Sequence, residues 1–258
     1  MKLQVIVAPD FGQERGIDWI LLSALLRRRG IEMDVRVPAT LAEYDSAIAL
    51  GSADLVLANP VDAIELVRRG GYLPVARPTL KQDEMYVACA AESRARTIRD
   101  LRPGCRIALT ADRCVEIVGL RLLEPANLDN SNSTRIRVDT PALAAELVLS
   151  GGAEVAFFAA ESHGALPLPT RRQLRLLVKS EIGDLTHLLL GHARQSEHLA
   201  EIRQAFVGPS DLDAQTASAM RVLGLELGFS ALSYGETEDM LDLVEALREG
   251  PVGSASFP

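Results

Sequence analysis

The sequence predicts an α/β fold built as two lobes, each with a largely parallel sheet. Three observations lead there. Short apolar runs alternate with stretches of helical spacing from the first residues onward. The alternation falls into two sets, parted by the charged, proline-bearing stretch RPTLKQDE at 77–84. The final block is helical and has no strands of its own to cover, so it is expected to return to the first set.

The first set opens with LQVIVA (3–8), a continuous apolar run of buried-strand type. Gly16 to Arg29 follows with apolar residues at Ile17, Ile20, Leu21, Ala24 and Leu25, the spacing of a helix face, and Gly30 closes it. MDVRV (33–37), a helix over about 40–50, DLVLA (54–58), a helix from Pro60 to Arg69 and YLPVA (72–76) complete the set. Strand ends that feed helix starts share one sheet edge, so Pro9-Asp10-Phe11 and Asn59-Pro60 are placed together there. The second set comprises MYVACA (85–90), RIALT (106–110), IRV (136–138), VAFFAA (155–160) and LRLLVKS (174–180), with helices over about 112–124 and 140–150. THLLLGHA (186–193) reads as a strand, and helices are expected over 195–206, 211–223 and 236–248. The lobes are therefore drawn as 1–80 with 186–258, and 81–185.

Composition narrows the function. With 48% hydrophobic and 24% charged residues the chain is of ordinary globular type, and a formal net charge of −8 argues against a nucleic-acid surface. The runs Arg27-Arg28-Arg29 and Arg171-Arg172 do not alter that, the first being suited to the negative end of a helix. Three separate cysteines, Cys89, Cys105 and Cys114, fit neither a disulfide framework nor a C-x-x-C metal site, and Cys114 reads as a small core residue. His187 and His192 fall on opposite faces of a strand and form no metal pair. No cofactor and no metal is expected. Met1 leads into a strand rather than a basic and apolar leader, and no run is long enough to insert in a membrane, so a cytoplasmic protein is expected, or a periplasmic one if a leader has been removed.

The order of DLVLANPVDA, GGYLPVARP, TIRDLRPGCRIAL, LVLSGGAEVAFF and the late LGLELGF resembles the substrate-binding proteins of phosphate/phosphonate ABC transporters, over about residues 3–248. The resemblance implies a type 2 periplasmic-binding-protein fold with two crossover hinges, near 77–84 and 178–186, and a cleft that closes on a small, anionic ligand. It implies a partner that is a transporter permease or a sensor protein. In that family a hydroxyl-rich turn after a second-lobe strand cradles the anion, and here Thr110-Ala111-Asp112-Arg113 takes its place. One hydroxyl remains. Asp112 either caps the helix or repels the anion, while Arg113 offers a bidentate charge. The family's carboxylate for a ligand amino group aligns with Ala159, two residues before Glu161, so an aminophosphonate is not expected. Further candidates come from position: Asp10, Phe11, Asn59, Tyr86 after the first crossover, and Asp139 with Thr140 at a helix start, each readable equally as a turn or cap residue. Glu161 and His163 are candidates for a shifted site.

The alternative is an enzyme on the same fold, resembling the menaquinone-pathway proteins that dehydrate chorismate or cleave futalosine derivatives. Asp112 and Glu161 would be its bases. The sequence carries no Ser/His/Asp set, H-E-x-x-H, P-loop or G-x-G-x-x-G, so catalysis is the weaker reading.

Overall fold

The structure is a computed structural model that describes residues 1–11, 16–27, 30–79, 84–180, 185–207 and 228–249. In chain order the described elements begin with β1 (Lys2–Val7), α1 (Gly16–Arg27), β2 (Glu32–Arg36), α2 (Leu41–Ala49), β3 (Leu55–Ala58), α3 (Pro60–Arg68) and β4 (Tyr72–Pro78). They continue with β5 (Met85–Ala90), β6 (Arg106–Leu109), α4 (Arg113–Leu122), β7 (Thr134–Arg137), α5 (Pro141–Leu149), β8 (Val155–Ala159), α6 (Ala160–Ala165), α7 (Leu168–Gln173) and β9 (Leu174–Lys179). The last are β10 (Leu188–His192), α8 (Leu199–Val207), β11 (Phe229–Ala231) and α9 (Tyr234–Glu249).

The chain divides into two compact units, Met1–Gln82 with Thr186–Val244, and Asp83–Leu185 with the chain from Glu245. Unit 1 holds a six-stranded sheet in the order β11-β4-β10-β3-β1-β2. β1 runs parallel to both β2 and β3, whereas β10 is antiparallel to its neighbours β3 and β4. Unit 2 holds a five-stranded sheet in the order β7-β6-β8-β5-β9, in which β6 is parallel to β7 and β8 while β5 is antiparallel to β8 and β9.

The local sequence explains the helix starts. Thr40 accepts from the Glu43 N–H, Asn59 from the Asp62 N–H, Asp112 from the Val115 N–H and Thr140 from the Leu143 N–H, so each helix has an N-terminal donor satisfied by a preferred residue type. Pro60 and Pro141 add a preset φ at the first helical position. Gly30, which follows α1 and leads to β2, sits at φ 83°, a conformation an L side chain resists.

The cores differ in texture. Unit 1 packs bulky groups, among them Leu3, Val5, Trp19, Leu22, Leu57 and Phe206, between its sheet and helices. Unit 2 places Ala88, Ala108, Ala144, Ala145 and Ala156 around Phe158, and the small side chains let α5 lie close on the sheet. On α4, Gly119 faces Phe157 so closely that a Cβ there would stand 2.4 Å from the ring.

Three readings of the elements are corrected. The late block does contain a strand: β11 adds to β4 antiparallel, with Phe229 opposite Pro78. Three residues are too few for a period to show. α6 and α7 were also not foreseen, each being a six-residue helix, with Pro169 near the start of the second. The helix expected over 195–206 begins later, as a 3-10 turn at Ala193–Gln195 followed by α8. The helix expected over 211–223 lies outside the described residues.

Candidate functional site

Candidate residues collect on one edge of each sheet. In unit 1, β1 and β3 run parallel and end together, and β10 starts beside them with Leu188 opposite Ala58. The chain leaving β1 turns at once: the Ala8 N–H donates to the Leu57 carbonyl at 2.8 Å and the Phe11 N–H to the Ala8 carbonyl at 3.0 Å. That turn sets Asp10 beside Asn59. Asn59 is fully buried, and its Nδ2 donates to Asp10 Oδ2 and to Asp62 Oδ2, both at 2.9 Å, while its Oδ1 caps α3. One side-chain amide thus ties two carboxylates to a helix start.

His187 completes this group from the residue before β10. Its Nε2 lies 3.4 Å from Asp10 Oδ1, the distance of an ion pair without hydrogen-bond geometry, and both side chains are 7% exposed. Burial works to raise the Asp10 pKa, but the His187 charge and the hydrogen bonds to the carboxylate outweigh it and hold the carboxyl below its usual value. Sequence reasoning named Asp10 and Asn59 but took His187 only as half of a rejected metal pair. No spacing signal could find it, because β10 enters the sheet from far along the chain. Phe11 is 2% exposed and packs against Trp19 and His187 with ring centroids at 6.1 Å and 4.8 Å.

In unit 2 the carboxyl ends of β6, β7 and β8 lie on one edge, and β5 begins there with Met85 opposite Ala159. This places Thr110, Asp112 and Arg113, then Asp139 and Thr140, then Glu161, and Tyr86, on a single edge. Asp112 Oδ1 accepts from the Val115 N–H at 3.0 Å, so the cap expected as one of two alternatives is formed. Thr140 is likewise a cap, its Oγ1 accepting from the Leu143 N–H at 3.2 Å. Asp139 and Glu161 are exposed. His163 stands edge-on to Tyr86 at 5.5 Å and against Phe158 at 5.7 Å, and burial, aided by the charge of Arg171, lowers its pKa. Ser180, not singled out by the sequence, is 2% exposed and fastens the start of β5: its Oγ accepts from the Met85 N–H at 3.0 Å.

A surface cavity of about 520 Å³ also exists in unit 2, but it is lined by Ile117, Leu120, Arg121, Asn127 and Leu247, on the side of α4 away from its N-terminus. The strand edge, where main-chain donors and polar side chains converge, is the better candidate. Cys114 is buried, in keeping with a core role. Among the described residues no group of His, Cys, Asp and Glu could hold a metal ion, and no helix is long and apolar enough to cross a membrane.

Residues 19–235 match the family model described as ABC transporter, phosphonate, periplasmic substrate-binding protein. The chain belongs to that family. Its fold is of the type 2 periplasmic-binding-protein class, as its structural neighbours show. XAC2383 from Xanthomonas citri, bound to chloride ion, aligns with a TM-score of 0.74 at 14% identity, over 96% of this chain and 99% of its own. PhnD1 from Prochlorococcus marinus (MIT 9301), in complex with methylphosphonate, aligns with a TM-score of 0.75 at 11% identity, over 96% and 98%. The alkanesulfonate-binding protein SsuA from Xanthomonas axonopodis pv. citri, bound to MOPS, gives a TM-score of 0.66 at 20% identity, over 96% and 93%. No curated protein matches the sequence.

The chain is therefore a substrate-binding protein of the ABC-transporter type, and the enzyme alternative finds no support. The expectation of a cytoplasmic location is overturned as well: the family is periplasmic, and the match points there.

Proposed function

We propose that this protein captures a small solute bearing an oxyanion, a phosphonate or a sulfonate, for delivery to the permease of an ABC transporter. The observation that supports it most is the edge of unit 2, where the ends of β6, β7 and β8 lie beside the start of α4, with Thr110 just before the helix, Asp112 as its cap and Arg113 as its first residue. A helix N-terminus carries about half a positive charge, and Arg113 adds a full one that can pair bidentately with tetrahedral oxyanions. The solved relatives carrying methylphosphonate and MOPS give the chemical class. Asp139, Thr140, Tyr86 and Glu161 would shape the rest of this edge. Thr140 and Asp112 serve as caps in doing so.

Titration calorimetry with methylphosphonate, methanesulfonate, inorganic phosphate and 2-aminoethylphosphonate tests the reading. Saturable binding of a phosphonate or a sulfonate, stronger than that of 2-aminoethylphosphonate, is expected. Ala159 has no carboxylate to meet the amine of the last. If none of the four binds at millimolar concentration, the oxyanion class is wrong.

A further inference from the structure

The carboxyl edge of unit 2 carries a group of aromatic rings apart from the start of α4. Tyr86, the second residue of β5, stands opposite Phe158 of β8 in the sheet register, so the two side chains share a face. His163 on α6 lies edge-on to Tyr86 with ring centroids 5.5 Å apart and meets Phe158 at 5.7 Å. Phe158 is buried, whereas Tyr86 and His163 are half-buried and form the open side of the group. Behind them this face is built from small side chains, among them Ala88, Ala108, Ala144 and Ala156. Among the described residues, the His163 side chain is held by its ring contacts, with neither nitrogen in a hydrogen bond.

Position and charge decide what such a wall meets. β6, β8 and β5 are neighbours in that order. Strands lie about 4.8 Å apart, so the end of β6, where Thr110 leads to α4, is about 10 Å from the start of β5. The strand between them ends in Ala159 and leads to Ala160, whose side chains are single methyl groups. α4 packs through Gly119 on Phe157, whose ring lies on the opposite face from that of Phe158, so the helix start and the ring group flank the edge from its two faces. Burial, and after it the charge of Arg171, lower the His163 pKa and favour the neutral ring. The same Arg171 charge opposes a cation there.

We infer that Tyr86 and His163 form the wall that receives the carbon substituent of the solute, and that His163 determines specificity there for an uncharged hydrophobic group longer than a methyl. The inference rests on the oxyanion reading above and deepens it by naming the rest of the solute: an aryl or extended alkyl phosphonate or sulfonate. A tetrahedral oxyanion that turns its oxygens to the donors of α4 directs its fourth bond away from them. Along the strand ends a substituent of several carbons then arrives at Tyr86 and His163, and a methyl group does not.

The test compares methanesulfonate with benzenesulfonate by calorimetry, two anions with one head group and different substituents. Methylphosphonate and phenylphosphonate make the same comparison for the other head group. In each pair the wild type is expected to bind the aryl compound about tenfold more tightly, the gain from packing a ring on aromatic partners. The ratio of the two affinities is the readout, because a general loss of structure weakens both members of a pair and leaves it unchanged. His163→Ala is expected to bring the ratio close to unity. His163→Phe keeps a ring at the position and is expected to keep the ratio, and it carries the test if His163→Ala does not fold. By NMR, bound benzenesulfonate or phenylphosphonate is expected to show a nuclear Overhauser contact with a carbon-bound ring proton of His163, assigned by its loss in His163→Phe. A methyl compound that binds as tightly as its aryl partner, a ratio that survives His163→Ala, or the lack of that contact overturns the inference and leaves the oxyanion reading intact. If none of the four anions binds, the reading and the inference fall together.

Discussion

Glu116 on α4 bridges two arginines of the edge strand β7, accepting from Arg135 Nη1 at 2.9 Å and Arg137 Nη2 at 2.5 Å. The carboxylate side chain is only 13% exposed, so the pairing is worth more than an open surface bridge and less than a fully buried one. Glu116→Gln is expected to destabilise unit 2 by about 1–2 kcal/mol. Chemical denaturation at low and high salt checks this, and a difference between the proteins that does not shrink in high salt would point to packing instead.

The approach of Gly119 to Phe157 supports a second prediction. Alanine is the better helix former, favoured over glycine by about 1 kcal/mol in a helix interior. Here the added methyl would overlap the buried ring, at 2.4 Å from Cδ2 and 2.5 Å from Cε2. Overpacking of this kind costs about 1–3 kcal/mol, so Gly119→Ala should lower the melting temperature despite its propensity. A melting temperature at or above that of the wild type would mean that α4 shifts freely on the sheet.

Asp54 ties unit 1 to acid. It is 8% exposed and accepts from the Gln4 N–H at 2.8 Å, Arg194 Nε at 2.9 Å and Gln195 Nε2 at 2.9 Å. Burial works to raise its pKa, and these donors, together with the Arg194 charge, bring it below the ordinary value. A carboxyl depressed in the folded state contributes stability that is present above the unfolded pKa and lost as pH falls through the folded one. Asp54→Asn should therefore cost about 1.5–3 kcal/mol at neutral pH, and the cost should shrink as the solution is taken below the ordinary aspartate range. Urea unfolding at several pH values measures it. A cost that stays constant into acid would show that geometry, not charge, is what Asp54 supplies.

The start of α4 separates anchoring from capping. Arg113→Ala should weaken phosphonate or sulfonate binding by roughly 1.5–3 kcal/mol, the range for a hydrogen bond to a charged group, and leave the fold intact. Asp112→Asn keeps a good cap for the Val115 N–H and removes a negative charge from the same turn, so it should tighten the same ligand. Calorimetry on both variants decides. If neither changes affinity, the anion is met elsewhere and the turn serves the helix alone.

Much of the architecture could be read from the chain because the signals are local. Asn59-Pro60, Thr40 and Thr140 announce helix starts by chemistry that acts within three residues, and apolar runs such as Leu55–Ala58 need no partner to be recognised as strands. The shared edge of Asp10 and Asn59 also followed, since parallel neighbours end together. What stayed hidden depends on pairing at long range. His187 meets Asp10 only because β10 enters next to β3, and β11 is a strand only because β4 offers it an edge. For the candidate site, sequence located the edges but not the duties of the side chains on them. Phe11 looks the same on paper whether its ring lines a surface or fills a core.

The place of β10 in its sheet bears on how the protein comes into being. β3 and β4 are made early, yet neither pairs with the other: the strand that joins them arrives only after the whole of β5 to β9 has been made. A nascent chain that stops short of residue 188 would carry two apolar strands, LVLA and YLPVARP, each with an unpaired side where β10 belongs. Such edges are templates for pairing with other chains. Unit 1 therefore cannot finish during synthesis of its first part, and a fragment ending near residue 79 should aggregate where the full chain does not. Closure over so long an intervening segment also makes slow folding the natural state of affairs, leaving time for the chain to be handled while still open.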